Sequence, residues 1–120
     1  MKPPARTKRM EKTPNMLTKE QIDEIVQRLV ERFHPRRVVL FGSHARGEAT
    51  EESDLDLFVE METRKRPPER AIEIGAAFGL RHWPLDVVVY TPDEVARLRY
   101  VRGALLPVIE AEGQVLYERE

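Results

Sequence analysis

From Leu17 onward the spacing of apolar residues changes period several times, and each change marks an element. Ile22, Ile25, Val26, Leu29, Val30 and Phe33 recur at i, i+3, i+4, i+7, i+8 and i+11, the single stripe of an amphipathic helix. Thr18 with Gln21 predicts a capping box at its start, and Leu17 against Ile22 a hydrophobic staple. His34-Pro35 ends it. Arg37 to Phe41 contains an apolar run long enough for one buried strand and too short for a helix. From Asp54 to Met61 the period drops to two: Leu55, Leu57, Val59 and Met61 face one way, and Asp54, Asp56, Phe58 and Glu60 the other.

Pro67-Pro68 opens a second helix, carrying Ala71, Ile72, Ala76, Phe78 and Leu80, weakened by Gly75 and Gly79 and closed by His82-Trp83-Pro84. Leu85 to Tyr90 is a third strand, in which Asp86, Val88 and Tyr90 alternate with Leu85, Val87 and Val89. Thr91-Pro92-Asp93-Glu94 is a dense helix start. Val95, Leu98, Val101 and Leu105 continue an apolar face, and Pro107 forces a break or kink. Gly113 stops the last helix, and Gln114 to Glu118 forms a short terminal strand. This order predicts an α+β fold, an α/β sandwich with helices on one face of a small mixed sheet and carboxylates on the other.

Composition narrows the classes. At 120 residues, 41% hydrophobic and 34% charged, the sequence fits one globular domain over residues 17–120. Residues 1–16, Pro-rich and aperiodic, read as a disordered basic tail. No apolar run approaches the roughly 18 residues of a membrane span. The basic N-terminus lacks the apolar segment of a secretory signal, so the cytoplasm is the expected location. The chain has no Cys, which excludes disulfides, a thiolate nucleophile and Cys-based zinc sites. Net charge is −1, so nothing global calls for nucleic acid. Lys2, Arg6, Lys8, Arg9 and Lys12 in the tail are the exception, a candidate contact for RNA or an acidic partner.

Only five Asp occur, against sixteen Glu, and Asp54, Asp56 and Asp86 stand at or inside strands, where Asp is disfavoured. Gly42-Ser43 follows the first strand directly. Gly42 lets backbone approach a ligand, and if Ser43 opens a short helix, its hydroxyl and the free N–H groups behind it make an anion site. Asp54 and Asp56 share one strand face, roughly 6.5–7 Å apart at the backbone. A slip of one residue would bury both in the core, so that face is pinned. A phosphate cradle followed by rigid hard-oxygen ligands suits Mg²⁺-nucleotide chemistry. Two carboxylates barely neutralise two divalent ions, so a third is expected, and the alternation around Asp86 can put it on the same face.

Gly42-Ser43, ten residues, then Asp54-x-Asp56 resembles the signature of the DNA polymerase β-like nucleotidyltransferase superfamily. The fuller run from Phe41 through Arg46-Gly47-Glu48-Ala49, with Ser53-Asp-Leu-Asp-Leu57, is similar to its minimal nucleotidyltransferase branch. That branch consists of small antitoxins often encoded beside an all-helical HEPN toxin. The resemblance implies that Gly42 and Ser43 hold a nucleoside triphosphate and that Arg46 contacts phosphate. It implies Asp54, Asp56 and Asp86 as ligands of Mg²⁺, two ions in all. Asp86 is also the candidate base toward the acceptor hydroxyl.

The implied activity is transfer of AMP from ATP to a protein hydroxyl, a tyrosine of a cognate HEPN toxin. A rival reading is a non-catalytic antitoxin that occludes its partner, with Leu98 to Ile109 as the docking face. A homo-oligomer is compatible with either. His34, His82 and Trp83 flank helix ends and read as structural, and His44 as solvated. Arg37 and His44 have the spacing of the HEPN ribonuclease pair, but here that spacing straddles a strand and a Gly break, so it carries no such role.

Overall fold

The computed structural model describes residues 16–119; residues 1–15, which hold most of the expected basic tail, lie outside the described residues. Helix α1 spans Lys19–Phe33. Thr18 Oγ1 accepts the Gln21 N–H at 3.1 Å and Gln21 Oε1 accepts the Thr18 N–H at 2.8 Å, the expected capping box. His34 ends the helix in the left-handed region and donates its N–H to the Val30 carbonyl. Strands β1 (Arg37–Phe41) and β2 (Leu55–Glu60) follow, with the single-turn helix α2 (Ser43–Arg46) between them. Helix α3 (Pro67–Phe78), strand β3 (Leu85–Tyr90), helices α4 (Pro92–Leu98) and α5 (Leu105–Glu112) and strand β4 (Gln114–Glu118) complete the chain.

The sheet order is β3-β2-β1-β4, with β2 and β3 parallel and the other neighbours antiparallel. It is the small mixed sheet the α+β reading expects. The parallel pair needs a crossover, and α3 supplies it. One face is apolar throughout: Val38, Leu40, Leu55, Leu57, Val59 and Val89 pack with Ile22, Ile25, Val26 and Leu29 of α1 and Ile74 and Phe78 of α3.

Register puts three rows on the opposite face: Phe41, Asp56 and Asp86; then Val39, Phe58 and Val88; then Arg37, Glu60 and Tyr90. This face was expected to be left to the carboxylates, and it is shared. Val95, Leu106 and Ile109 of α4 and α5 bury the middle row, including Phe58, because those apolar side chains need a cover that water cannot give. Only the first row remains open at the mouth of the β1–α2 turn. The third row is closed by ion pairs: Arg37 Nε lies 3.1 Å from Glu60, its Nη2 lies 2.9 Å from Glu110, and Arg99 holds Glu110 at 2.8 Å.

Three local expectations are corrected. The second helix buries Arg70, Ile74 and Phe78, leaving Ile72 exposed and Leu80 beyond the helix end, since i, i+4, i+8 is the stripe that meets the sheet. The break in the C-terminal helices falls between Leu98 and Leu105, through Gly103 at φ 85°, and Val101 lies outside both helices. Pro107 stands in the first turn of α5, where a missing N–H costs nothing, so it neither kinks nor breaks the helix. Gly113 stops α5 as expected, standing at its C-cap with φ −79°. It is required for space, because a Cβ there would lie 2.6 Å from the Ile109 carbonyl and overlap Val39.

Candidate active site

A turn delivers Asp54, and the openings of two paired strands deliver Asp56 and Asp86. Thr50 and Ser53 close the turn that leads into Asp54: the Thr50 N–H donates to Ser53 Oγ at 2.8 Å and the Ser53 N–H to the Thr50 carbonyl at 3.1 Å. Asp56 is the second residue of β2 and Asp86 the second of β3, and the two are paired in the parallel register. The three side chains offer oxygens that all lie within 4.8 Å of one another. The convergence expected of Asp54, Asp56 and Asp86 is therefore present.

Crowding like charges has an electrostatic consequence. Burial, and then the charges of Asp86 and Asp54, push the Asp56 carboxyl up to about 6, while Arg46 pulls the other way. Three hard, anionic oxygen donors in one cluster fit a divalent cation such as Mg²⁺, which would relieve this repulsion.

Gly42 adopts φ 77° and ψ −155°, a region that essentially only glycine populates, and it is the residue that caps α2. Ser43 is the first helical residue and opens the short helix as its position after Gly42 suggested. Its carbonyl accepts the Glu48 N–H at 2.9 Å, which shapes the turn. Arg46 lies close enough to lower the Asp56 carboxyl, and its guanidinium is engaged by Glu48 at 2.9 Å and Glu112 at 3.9 Å. Those acidic partners were missed in the sequence. Gln114 was missed as well: its amide donates to the Ala45 carbonyl at 2.8 Å and ties β4 to α2. Residues 45 and 114 carry no local signal of a contact 69 positions apart.

His44 lies on the other side of the turn. It lines a cavity of about 310 Å³ with Leu17, Ile22, Leu40, Gln114 and Leu116, and burial lowers its pKa. Trp83 packs edge-on against Phe78 at 6.0 Å, in keeping with a helix-end role. Among the described residues no helix is long and apolar enough to cross a membrane.

Comparison with known proteins places this geometry. Residues 21–118 match the family model described as "Nucleotidyltransferase domain". The chain is similar to "Protein adenylyltransferase MntA" of Thermococcus cleftensis, at 47% identity over 51 residues, 39% of this chain and 52% of that one. A relative from Methanocaldococcus jannaschii is 41% identical over 56 residues, 43% of this chain and 56% of its own. The chain thus spans about half the length of the curated relatives it matches. Among solved structures, one described as a toxin-antitoxin with AMP-PNP superposes with a TM-score of 0.55 at 20% identity, over 82% of this chain and 74% of that one, a likeness of fold.

Proposed function

The chain belongs to the family of nucleotidyltransferase domains, and from that premise we propose that it is a protein adenylyltransferase, transferring AMP from ATP to a hydroxyl of a protein partner. The observation that carries this reading is the convergence of Asp54, Asp56 and Asp86 beside the Gly42-Ser43 turn. In this reading the three carboxylates hold Mg²⁺, two ions in all, and Gly42, Ser43 and Arg46 face the triphosphate. When bound, the cations supply charge neutralisation and Lewis acidity for in-line displacement at phosphorus. Asp86, exposed on the adjoining strand, accepts the proton of the acceptor hydroxyl. A bond forms between that oxygen and the α-phosphorus, the bond from that phosphorus to the bridging oxygen breaks, and pyrophosphate leaves.

The acceptor in this proposal is a tyrosine of a cognate HEPN-type toxin, whose modification would make the chain an antitoxin. The adenylyltransferase name of the Thermococcus relative supports a protein acceptor, and the toxin–antitoxin description of the structural neighbour supports a toxin partner; the tyrosine and the HEPN type are what the family resemblance implies. The test is transfer from ATP labelled at the α-phosphate to the purified partner in Mg²⁺. A labelled partner is expected, and Asp54→Asn with Asp56→Asn should reduce labelling by on the order of 10³-fold or more, several kcal/mol of transition-state stabilisation. Transfer that survives the double substitution refutes the mechanism.

A second reading, neutralisation by occlusion, is favoured by one observation. Tyr100, Val101, Leu105 and Val108 expose apolar surface around the α4–α5 turn. If the Asp54/Asp56 variant still protects cells from the toxin, occlusion is the better account.

A further inference from the structure

The space that a side chain at residue 42 would fill is already occupied. A Cβ built on Gly42 would overlap the Asp56 carboxylate, standing 2.9 Å from its Cγ and 3.2 Å from its Cβ. At the other end of the same turn, Gly47 has a similar φ, 74° against 77°, but lies in the ordinary left-handed region with ψ 21° against −155°, and a Cβ there meets nothing within 4 Å. The two glycines thus answer different demands. Gly47 needs only conformational freedom, whereas Gly42 needs both freedom and an empty place.

We infer that Gly42 is a positioning residue for Asp56: the turn closes down on the carboxylate and fixes its orientation toward Asp54 and Asp86. Three observations bear on this. Asp56 is the half-buried member of the cluster, with Asp54 and Asp86 exposed. Phe41, one residue before Gly42, is its register partner across β1 and β2, so the sheet sets the turn directly over it. The Arg46 N–H donates to the Gly42 carbonyl at 3.1 Å, which holds the turn in its closed form. Any contact Gly42 makes with a triphosphate is then additional to this task. The inference rests on the carboxylate cluster being the cation site, and it is independent of which acceptor is used.

A mutant cycle in the metal-free protein tests it. Gly42→Ala and Gly47→Ala are each made in the wild type and in Asp56→Ala, and unfolding is followed in denaturant. The expected result is that Gly42→Ala lowers the midpoint more in the wild type than in the Asp56→Ala background, while Gly47→Ala lowers it equally in both. If Gly42→Ala is unfolded, recovery of the fold in Gly42→Ala/Asp56→Ala supports the seat. Failure of that double variant while Gly47→Ala folds overturns it, and so do additive losses for residues 42 and 56.

The second readout is Mn²⁺ titration without nucleotide. Gly42→Ala should weaken binding by roughly 10–100-fold and Gly47→Ala by no more than about twofold. Unchanged Mn²⁺ affinity in Gly42→Ala would overturn the inference and leave the glycine as a nucleotide contact only. None of these readouts requires AMP transfer, so an inactive wild type would count against the proposed activity without touching this inference.

Discussion

Asp56 and Asp86 are paired across parallel neighbouring strands, so both carboxylates leave the sheet on the same face and side by side. Adjacent positions on one face bring side chains close enough to interact, and like charges so placed are destabilising. Without a cation, the fold holds this pair together against its own repulsion.

The metal-free protein should therefore lose stability as pH rises through the Asp56 transition. Its folded-state pKa is about 6 against an ordinary 3.8, so the protonated form is favoured by folding. The stabilisation is full below pH 3.8 and is lost as pH rises to about 6. The magnitude is on the order of 1 kcal/mol, because Asp56 is only partly buried and solvent screens it. Glu94 and Glu110 act in the opposite sense, with carboxyls lowered by Arg70 and by Arg99, so their contribution disappears only as pH falls below the ordinary Glu range. Thermal unfolding in EDTA should show the loss between about pH 4 and 6 in the wild type and a flatter profile for Asp56→Asn.

Divalent cation should reverse that trend. Mg²⁺ or Mn²⁺ at a hundredfold excess over Kd is expected to add about 2.7 kcal/mol at neutral pH. The gain should shrink below about pH 6, where protons compete for Asp56, and vanish in Asp54→Asn/Asp56→Asn. An equal rise in Tm in that double variant would place the cation elsewhere.

Arg70 should be a costly charged residue to remove. The Pro84 and Tyr90 carbonyls accept bonds from Leu55 of β2 and from Met61 just beyond it, so the Val89 carbonyl faces the outer edge of β3, and Arg70 Nη1 donates to it at 3.1 Å. The same guanidinium grips Glu94 through two bonds of 2.7 and 3.2 Å and donates to the Lys65 carbonyl at 2.9 Å. Arg70→Ala leaves a carboxylate and two carbonyls without this donor and should cost about 3–5 kcal/mol in denaturant unfolding. Arg70→Lys keeps the charge and loses the fork, so it should recover only part.

Gly75 and Gly113 should respond to alanine with opposite signs. Gly75 lies in the interior of α3 with nothing within 4 Å of a built Cβ, so Gly75→Ala should stabilise the protein by about 1 kcal/mol. Gly113→Ala meets Val39 and the Ile109 carbonyl and should cost about 1–3 kcal/mol. Val39→Ala in the same chain should return only part of that, because the carbonyl cannot yield. Denaturant midpoints of the three variants check both signs.

Much of this was legible in residues alone. β1, β3 and β4 lie where their apolar periods end, and the Thr18 and Thr91 capping boxes form as their spacing requires. These are local properties, fixed by side-chain period and by hydrogen bonds within a single turn. The face that Asp56 takes is equally local, since a strand alternates whatever it packs against, whereas Asp54 stands one residue before β2 and is set by the turn ahead of it. Family resemblance had pointed to Asp86, and alternation allowed it.

Tertiary structure decided what depends on neighbours remote in sequence. The parallel register of β2 and β3 makes Asp86 the third carboxylate; alternation within each strand fixes the face a side chain takes but not which residue of the neighbouring strand stands beside it. The burial of Phe58 under α4 and α5, and the engagement of Arg46 by Glu112, likewise join segments far apart in the chain. Gly42 shows the division most clearly. Its sequence context announces a turn that needs glycine, while the reason this glycine has no room for a methyl group is a carboxylate fourteen residues away, brought there by strand pairing.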